Sequence, residues 1–263
     1  NQNFTTATNA LNTAVGFNAG GAVTTGFYNT LIGGVAGDAL TDADYNVALG
    51  MFALSADTLG SRSTAIGYGT LDTQNFTTAT NSYNVAVGYN AGTAVTTGVQ
   101  NVFVGSLAGL GTTTGTQNVA VGMEALGVVA GNTNTAVGTF SLNVCTGSDN
   151  TAVGMLAGGS LTSGSNCLFV GHDAGRTGSP GGNITTASNT LVLGDENIGA
   201  CHIQTDWTVA SDQRDKTDFT ALDVGLDFVN ALKPVTYKWD KRSKYGDKTA
   251  DDYDLDNITT DGT

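Results

Sequence analysis

A five-residue word, Asn-x-x-apolar-Gly, recurs along most of this chain and restricts its fold more than any other feature. It begins at Asn12, Asn29, Asn46, Ser63, Asn84, Asn101, Asn118, Asn134 and Asn150, and in forms stretched by one residue at Asn166 and Asn189. Successive starts lie 16 or 17 residues apart, except for 21 after Ser63 and 23 after Asn166. A longer period is superimposed: Asn-Phe-Thr-Thr-Ala-Thr-Asn fills 3–9 and again 75–81, and Asn12 and Asn84 are also 72 residues apart. Self-similarity at a fixed period marks stacked repeats, in which each unit buries its surface against its neighbours.

One copy can be read physically. In Asn118-Val119-Ala120-Val121-Gly122, Val119 and Val121 fall on one face of a strand, and Asn118, Ala120 and Gly122 on the other. The word is too short and too β-branched for a helix. Its closing glycine, as at Gly16, Gly88 and Gly122, permits the left-handed backbone of a turn. A second stretch follows, such as Tyr89-Asn90-Ala91-Gly92 or Met123-Glu124-Ala125-Leu126, and then a second turn. Gly26, Gly60, Gly98, Gly115, Gly131 and Gly147 each stand three residues ahead of the next word. One copy is therefore expected to be two short strands and two glycine turns. The fold class expected is all-β: a parallel β-solenoid or β-roll of about eleven coils of 16–17 residues. The asparagines would stack into a hydrogen-bonded ladder. So thin a coil encloses little volume, and its Ala- and Gly-lined face is expected to receive another chain.

Composition narrows the classes. The 37 glycines come with only 2 prolines and no every-third-residue register, which excludes collagen. Charged residues make up 13%, against roughly 25% in an average protein, so charge repulsion would not hold the chain open. No apolar run reaches the ~18 residues of a membrane span. No basic segment followed by an apolar stretch opens the chain, so no signal peptide is expected. The first residues already lie inside the repeat, so the chain reads as a piece of a longer polypeptide. A net charge of −13 speaks against nucleic acid or an anionic membrane surface as partner.

Charge density changes along the chain. Residues 1–205 hold ten acidic and two basic residues, and the 58 residues of 206–263 hold thirteen acidic and eight basic. Two modules are expected, a repeat shaft or head over 1–205 and a small α+β module over 206–263. In the second, Phe219, Leu222, Leu226, Val229 and Leu232 have helical spacing, and Pro234 ends that helix near Lys233. Val235, Tyr237 and Trp239 then alternate with Thr236 and Lys238 as in a strand.

The word Asn-Thr-Ala-Val-Gly-x-x-Ala, as at Asn12–Ala19, resembles the head repeat of trimeric autotransporter adhesins, a left-handed parallel β-roll. Similar repeats occur in phage tail fibres. The resemblance covers about residues 10–195 and implies a homotrimer. The coil here is longer than the usual adhesin unit, and a triple-stranded β-prism with interleaved chains is the neighbouring possibility. Further along, Ser-Asp-x-Arg-x-Lys at 211–216, the helix, and Pro-Val-x-Tyr-Lys-Trp at 234–239 appear in order. This arrangement resembles the C-terminal intramolecular chaperone domain of phage endosialidase tailspikes and related fibres, also found in the myelin-gene regulatory factor. Only the first part of such a domain is expected within 206–263.

That resemblance implies trimerisation, guidance of β-folding, and one self-inflicted cut between Ala210 and Ser211. Ser211 would be the nucleophile and Lys216 its general base, with Asp212 and Arg214 shaping the turn. The activity would be that of a single-turnover autocatalytic serine endopeptidase. A lysine accepts the proton only if burial or neighbouring cations lower its pKa, and the intramolecular setting supplies a high effective molarity. Without the resemblance, Ser211-Asp212 reads as a helix N-cap before an acidic first turn.

The repeats themselves offer little chemistry. Asp42 and Asp44 read as turn residues rather than a glycosidase pair. His172-Asp173 reads as a solvated loop, with metal or substrate binding as the alternative. Cys201-His202 lacks the further ligands of a zinc site. Cys145, Cys167 and Cys201 are three, so they cannot all pair within the chain. No metal and no cofactor are expected. The whole reads as a structural and adhesive fibre, a virion tail fibre that is extracellular and assembled in the host cytoplasm. Its partners would be itself, a carbohydrate or protein receptor on the host surface, and other virion or fibre proteins. Neither nucleic acid nor membrane insertion is expected. The longer coils at 67–88 and 166–189 are the receptor candidates. A bacterial adhesin or surface filament, and a carbohydrate-cleaving tailspike, are the alternatives.

Overall fold

A computed structural model describes residues 10–128 and 130–202, and the chain divides into two units, Asn1–His202 and Ile203–Thr263. Each word becomes a strand of three residues. They run β1 (Thr13–Val15), β2 (Thr30–Ile32), β3 (Val47–Leu49), β5 (Thr64–Ile66), β7 (Val85–Val87) and β8 (Val102–Val104). β9 (Val119–Val121), β10 (Thr135–Val137), β11 (Thr151–Val153), β12 (Leu168–Val170) and β13 (Leu191–Leu193) continue the series. All eleven pair in parallel, in chain order, in one sheet. A two-stranded parallel sheet stands apart, made by β4 (Gly60–Ser61) and β6 (Thr80–Asn81). The described residues contain no helix, and they form an all-β parallel solenoid of eleven rungs.

Three expectations are corrected. First, each rung carries one strand, not two. The stretch after the closing glycine is a chain of turns with positive φ at alternate residues: Val35 and Gly37, Phe52 and Leu54, Glu124 and Leu126. Extended backbone cannot hold such angles. The turns still stack, with N–H groups donating to the following rung, as from Gly37 to Ala53 O (2.9 Å) and Leu126 to Ser141 O (3.1 Å). Second, Asn166 and Asn189 do not start stretched words. Register pairs Leu168 with Thr151 and Leu191 with Leu168, so Cys167 and Thr190 occupy the places aligned with Asn150. Asn166 and Asn189 sit one residue earlier, at φ 55° and 57°, the conformation of Tyr28 and Tyr45.

Third, the alanine face is the inside of the coil. Ala48, Ala65, Ala86, Ala120, Ala136 and Ala152, at the strand centres, are fully buried, while the residues on either side of them turn outward. Volume decides this. Where the centre is Ala48, Ala65, Ala120 or Ala136, a buried leucine follows six residues later: Leu54, Leu71, Leu126 or Leu142. Where the centre is Leu31, Phe103 or Phe169, the sixth residue on is Gly37, Gly109 or Gly175. A side chain at Gly109 or Gly175 would run into the phenylalanine ring of its own rung. Gly92 and Gly158, one rung earlier, are needed too: a Cβ there would lie 2.8 Å from Phe103 Cδ2 and Phe169 Cδ2. Left-handed backbone is not the reason, because Leu54, Leu71, Leu126 and Leu142 hold φ between 45° and 55° at the same position. A large strand centre thus fills the space of two rungs, as close packing requires.

Candidate functional site: the asparagine ladder and the outer sheet face

The words' first residues line up in one column, and each asparagine clamps the rung after it. Asn12 Oδ1 accepts from Asn29 N–H (2.7 Å), and its Nδ2 donates to Gly26 O (2.8 Å). Asn29 repeats this with Asn46 N–H (2.9 Å) and Ala43 O (2.7 Å). Asn46 holds Ser63 N–H and Gly60 O. The series resumes at Asn84 with Asn101 N–H and Gly98 O. Asn101, Asn118 and Asn134 bond the N–H of Asn118, Asn134 and Asn150 at 2.9–3.0 Å. Their Nδ2 atoms donate to Gly115, Gly131 and Gly147 O at 2.9 Å. Asn150 ends the run on Cys167 N–H (3.0 Å) and Gly164 O (2.9 Å). From Asn29 onward these side chains are buried, where an unpaired amide would cost about 1–3 kcal/mol.

A second column runs beside it. Gly16, Gly88 and Gly122 have φ of 136°, 133° and 129°. A Cβ on Gly88 would stand 2.5 Å from Gly105 O, and one on Gly122 would stand 2.7 Å from Gly138 O. Conformation and close backbone approach both demand glycine here.

The outer face of the sheet is built from the first and third residue of each strand. The first is Thr, Val or Leu and the third Val, Ile or Leu, and no residue of the eleven strands is charged. Val15, Leu49, Val153 and Leu193 are exposed, at 42–58%. Beyond the closing glycines the apolar character continues in exposed Met51, Tyr68, Tyr89, Met123 and Met155. Tyr68 and Tyr89 stack with centroids 5.6 Å apart. On the other flank Tyr28 and Tyr45 stack at 5.1 Å, and the Arg62 guanidinium lies 4.8 Å from the Tyr45 ring centre. Rings stacked along the axis cover each other's faces and leave their edges outward.

The polar candidates are held in structural contacts. Asp42 accepts from Thr25 Oγ1 (2.6 Å) and Asp44 from Phe27 N–H (2.9 Å), each reaching the rung before. His172 Nδ1 lies 3.2 Å from Asp195 Oδ2 and 3.4 Å from Asp173 Oδ2, and Arg176 pairs with Asp173 at 2.7 Å. A hydrogen bond from Asn197 N–H, followed by the one to His172, pulls the Asp195 pKa down. Among the described residues no group of three or more His, Cys, Asp or Glu is placed to hold a metal ion. Cys145 and Cys167 are buried and free, and Cys201 is exposed. In the coil 67–88 the added residues carry β6; in 166–189 they form a glycine-rich turn in which Ser179 Oγ accepts from Gly175 N–H (3.0 Å). Ala210, Ser211, Asp212, Arg214 and Lys216 lie outside the described residues.

Sequence reasoning missed a buried polar cluster. Asp57 is fully buried and accepts from Gln74 Nε2 (2.6 Å), Gly60 N–H (3.0 Å) and Phe76 N–H (3.0 Å). Burial pushes its pKa up, against these hydrogen bonds.

Among known families, the one described as the chaperone of endosialidase matches residues 211–255. Neither the curated proteins nor the solved structures contain a match to this chain. A parallel β-solenoid followed by a chaperone-of-endosialidase segment points to a phage tail fibre-like protein, and that segment implies trimeric fibre association.

Proposed function

We propose that this chain is the shaft or head of a homotrimeric viral tail fibre that attaches the virion to a host surface and is matured by self-cleavage. The observation that carries the reading is the position of the family match: it opens at Ser211, the residue assigned as nucleophile. In this reading the Ser211 hydroxyl attacks the Ala210 carbonyl carbon while the Lys216 amine takes its proton. The Ala210–Ser211 amide bond breaks, the Ser211 amine leaves protonated, and water hydrolyses the resulting ester. Asp212 and Arg214 shape the turn that presents the bond. The event happens once per chain, and intramolecular positioning supplies most of its acceleration. The solenoid supports the mechanical half of the proposal, because its strand-to-strand backbone bonds and its asparagine bonds to the next word's N–H join each rung to its neighbour along the stack.

Intact mass of the expressed product tests it. The expected result is two species divided between Ala210 and Ser211. Ser211→Ala and Lys216→Ala should each leave one full-length species. Cleavage at the same bond in Ser211→Ala would remove Ser211 from the mechanism.

A further inference from the structure

We propose that Arg62, held between Tyr45 and Tyr83, is the centre of a carbohydrate subsite that takes a saccharide bearing a single carboxylate. This deepens the host-attachment reading above and rests on it. The residue just ahead of each word holds left-handed backbone. Tyr28, Tyr45, Arg62 and Tyr83 do so at φ 60°, 59°, 66° and 51°, and Gln100, Gln117, Thr133, Asp149 and Asn166 follow in the same column. Asparagine and aspartate adopt that conformation at least cost, and a bulky ring is a poor choice for it. The three tyrosines are 44–50% exposed, so little burial offsets that cost. Strain carried on the surface without a packing return is a mark of a binding surface.

The four side chains form one stack. The Tyr28 and Tyr45 rings lie 20° from parallel, and the Arg62 guanidinium carbon is 4.8 Å from the Tyr45 ring centre and 5.9 Å from that of Tyr83. The outward ring edges carry the positive end of the aromatic quadrupole. Arg62 Nε–H donates to Asn81 Oδ1 (3.1 Å) on β6, the strand that the longer coil adds. That bond fixes the guanidinium plane, and Nη1 and Nη2 find no acceptor among the described residues. Arg176 is paired with Asp173, so Arg62 alone among the described residues is a cation without an acidic partner.

Chemistry selects the ligand. A carboxylate is planar, and its two oxygens match the two Nη donors in a way no lysine reproduces. One cation admits one such group. Exposed Asp42 lies three residues before Tyr45, and the chain carries a net charge of −13, so a partner with a run of acidic groups is repelled. The phenol hydroxyls of Tyr28, Tyr45 and Tyr83 each donate and accept hydrogen bonds, on rungs about 4.8 Å apart. Neutral hydroxyls around one acid are the make-up of an acidic saccharide. An acidic peptide would bring carboxylates without hydroxyls to meet those of the tyrosines.

Titration calorimetry of the full 263-residue chain tests this with cellobiouronic acid, one glucuronate on one glucose. The parent should bind it, and should bind cellobiose, which lacks the carboxylate, about tenfold more weakly or worse. Acetate, the carboxylate without rings, should bind weakly too. Arg62→Gln should weaken cellobiouronate binding about tenfold or more, and Arg62→Lys should not restore it. Arg176→Gln should leave it unchanged. No binding by the parent, equal binding of cellobiose or acetate, or unchanged binding by Arg62→Gln would each overturn the subsite. If Arg62→Gln does not fold, Tyr83→Phe decides: removing only the hydroxyl should weaken binding about threefold, and no change would overturn the subsite. A null titration leaves the fibre reading standing, since that reading is tested separately by scission at Ala210–Ser211.

Discussion

Two stretches of the same stack solve one problem differently. From Asn84 to Asn150 every rung is joined to the next by one carboxamide, which fixes a backbone N–H and a turn carbonyl together. Between Asp57 and Asn84 that device fails, because Ser63 takes the asparagine place and its hydroxyl, which reaches forward to Ser82 Oγ (2.5 Å), carries no amide to clamp a backbone N–H and a turn carbonyl together. There Gln74, at an interior position held elsewhere by Val23, Leu40 or Val95, supplies the amide. Its Oε1 accepts from Asn84 Nδ2 (2.8 Å), and its Nε2 donates to Asp57 Oδ2 and to Ser63 Oγ (2.9 Å). The stack therefore needs a filled set of donors and acceptors at each step, not asparagine as such. The cost of the substitute is a buried carboxyl group.

The glycine column makes no distinction between the two stretches, and this gives the largest expected effect. Gly67→Val and Gly122→Val should each lower stability by about 3 kcal/mol or more, combining a strained φ with a clash against backbone. Chemical denaturation would show it, and a loss confined to one of the two would break the equivalence. Next, Asn118→Ala leaves Asn134 N–H and Gly131 O without their partner and should cost about 2–4 kcal/mol, whereas Ser63→Ala should cost about 1 kcal/mol. Equal losses would mean that Ser63 carries more than its hydroxyl contacts provide.

Gln74→Leu should cost about 1–3 kcal/mol, because it orphans Asn84 Nδ2 and takes a donor from buried Asp57. A stability unchanged by it would show that the cluster is dispensable. The smallest effect is one of pH. With its pKa raised, Asp57 holds its proton more tightly in the folded than in the unfolded chain. Its contribution should fall as pH rises from about 4 through the raised value, then level off. Asp57→Asn should flatten that segment of the stability–pH curve while lowering stability at neutral pH, since its amide would face Gln74 Nε2 donor to donor.

The period, the strand in each word and the glycine column are legible in the sequence because each is a local demand repeated many times. The direction of the strand faces is not. A Val-Ala-Val strand has a large and a small face, and habit assigns the large one inward. The space left inside by Leu54, Leu71 or Leu126 admits only alanine. The one-residue shift at Cys167 is hidden for another reason: Asn150 asks only for a backbone N–H, which any residue but proline offers. Left-handed leucines escape a reading that looks for glycine at such angles. Asp57 and Gln74 lie 17 residues apart, and only the stacking of their rungs brings them together.

The bulky rings at Phe103 and Phe169 carry a consequence for how such a protein can lengthen or shorten. Since each ring also occupies room above Gly92 or Gly158, copying or excising a single turn at those places would leave a hole or a collision. The smallest block that can be moved there without repair is a doublet. Between Asn118 and Asn150, where alanine and leucine alternate within their own turn, single blocks could be exchanged freely.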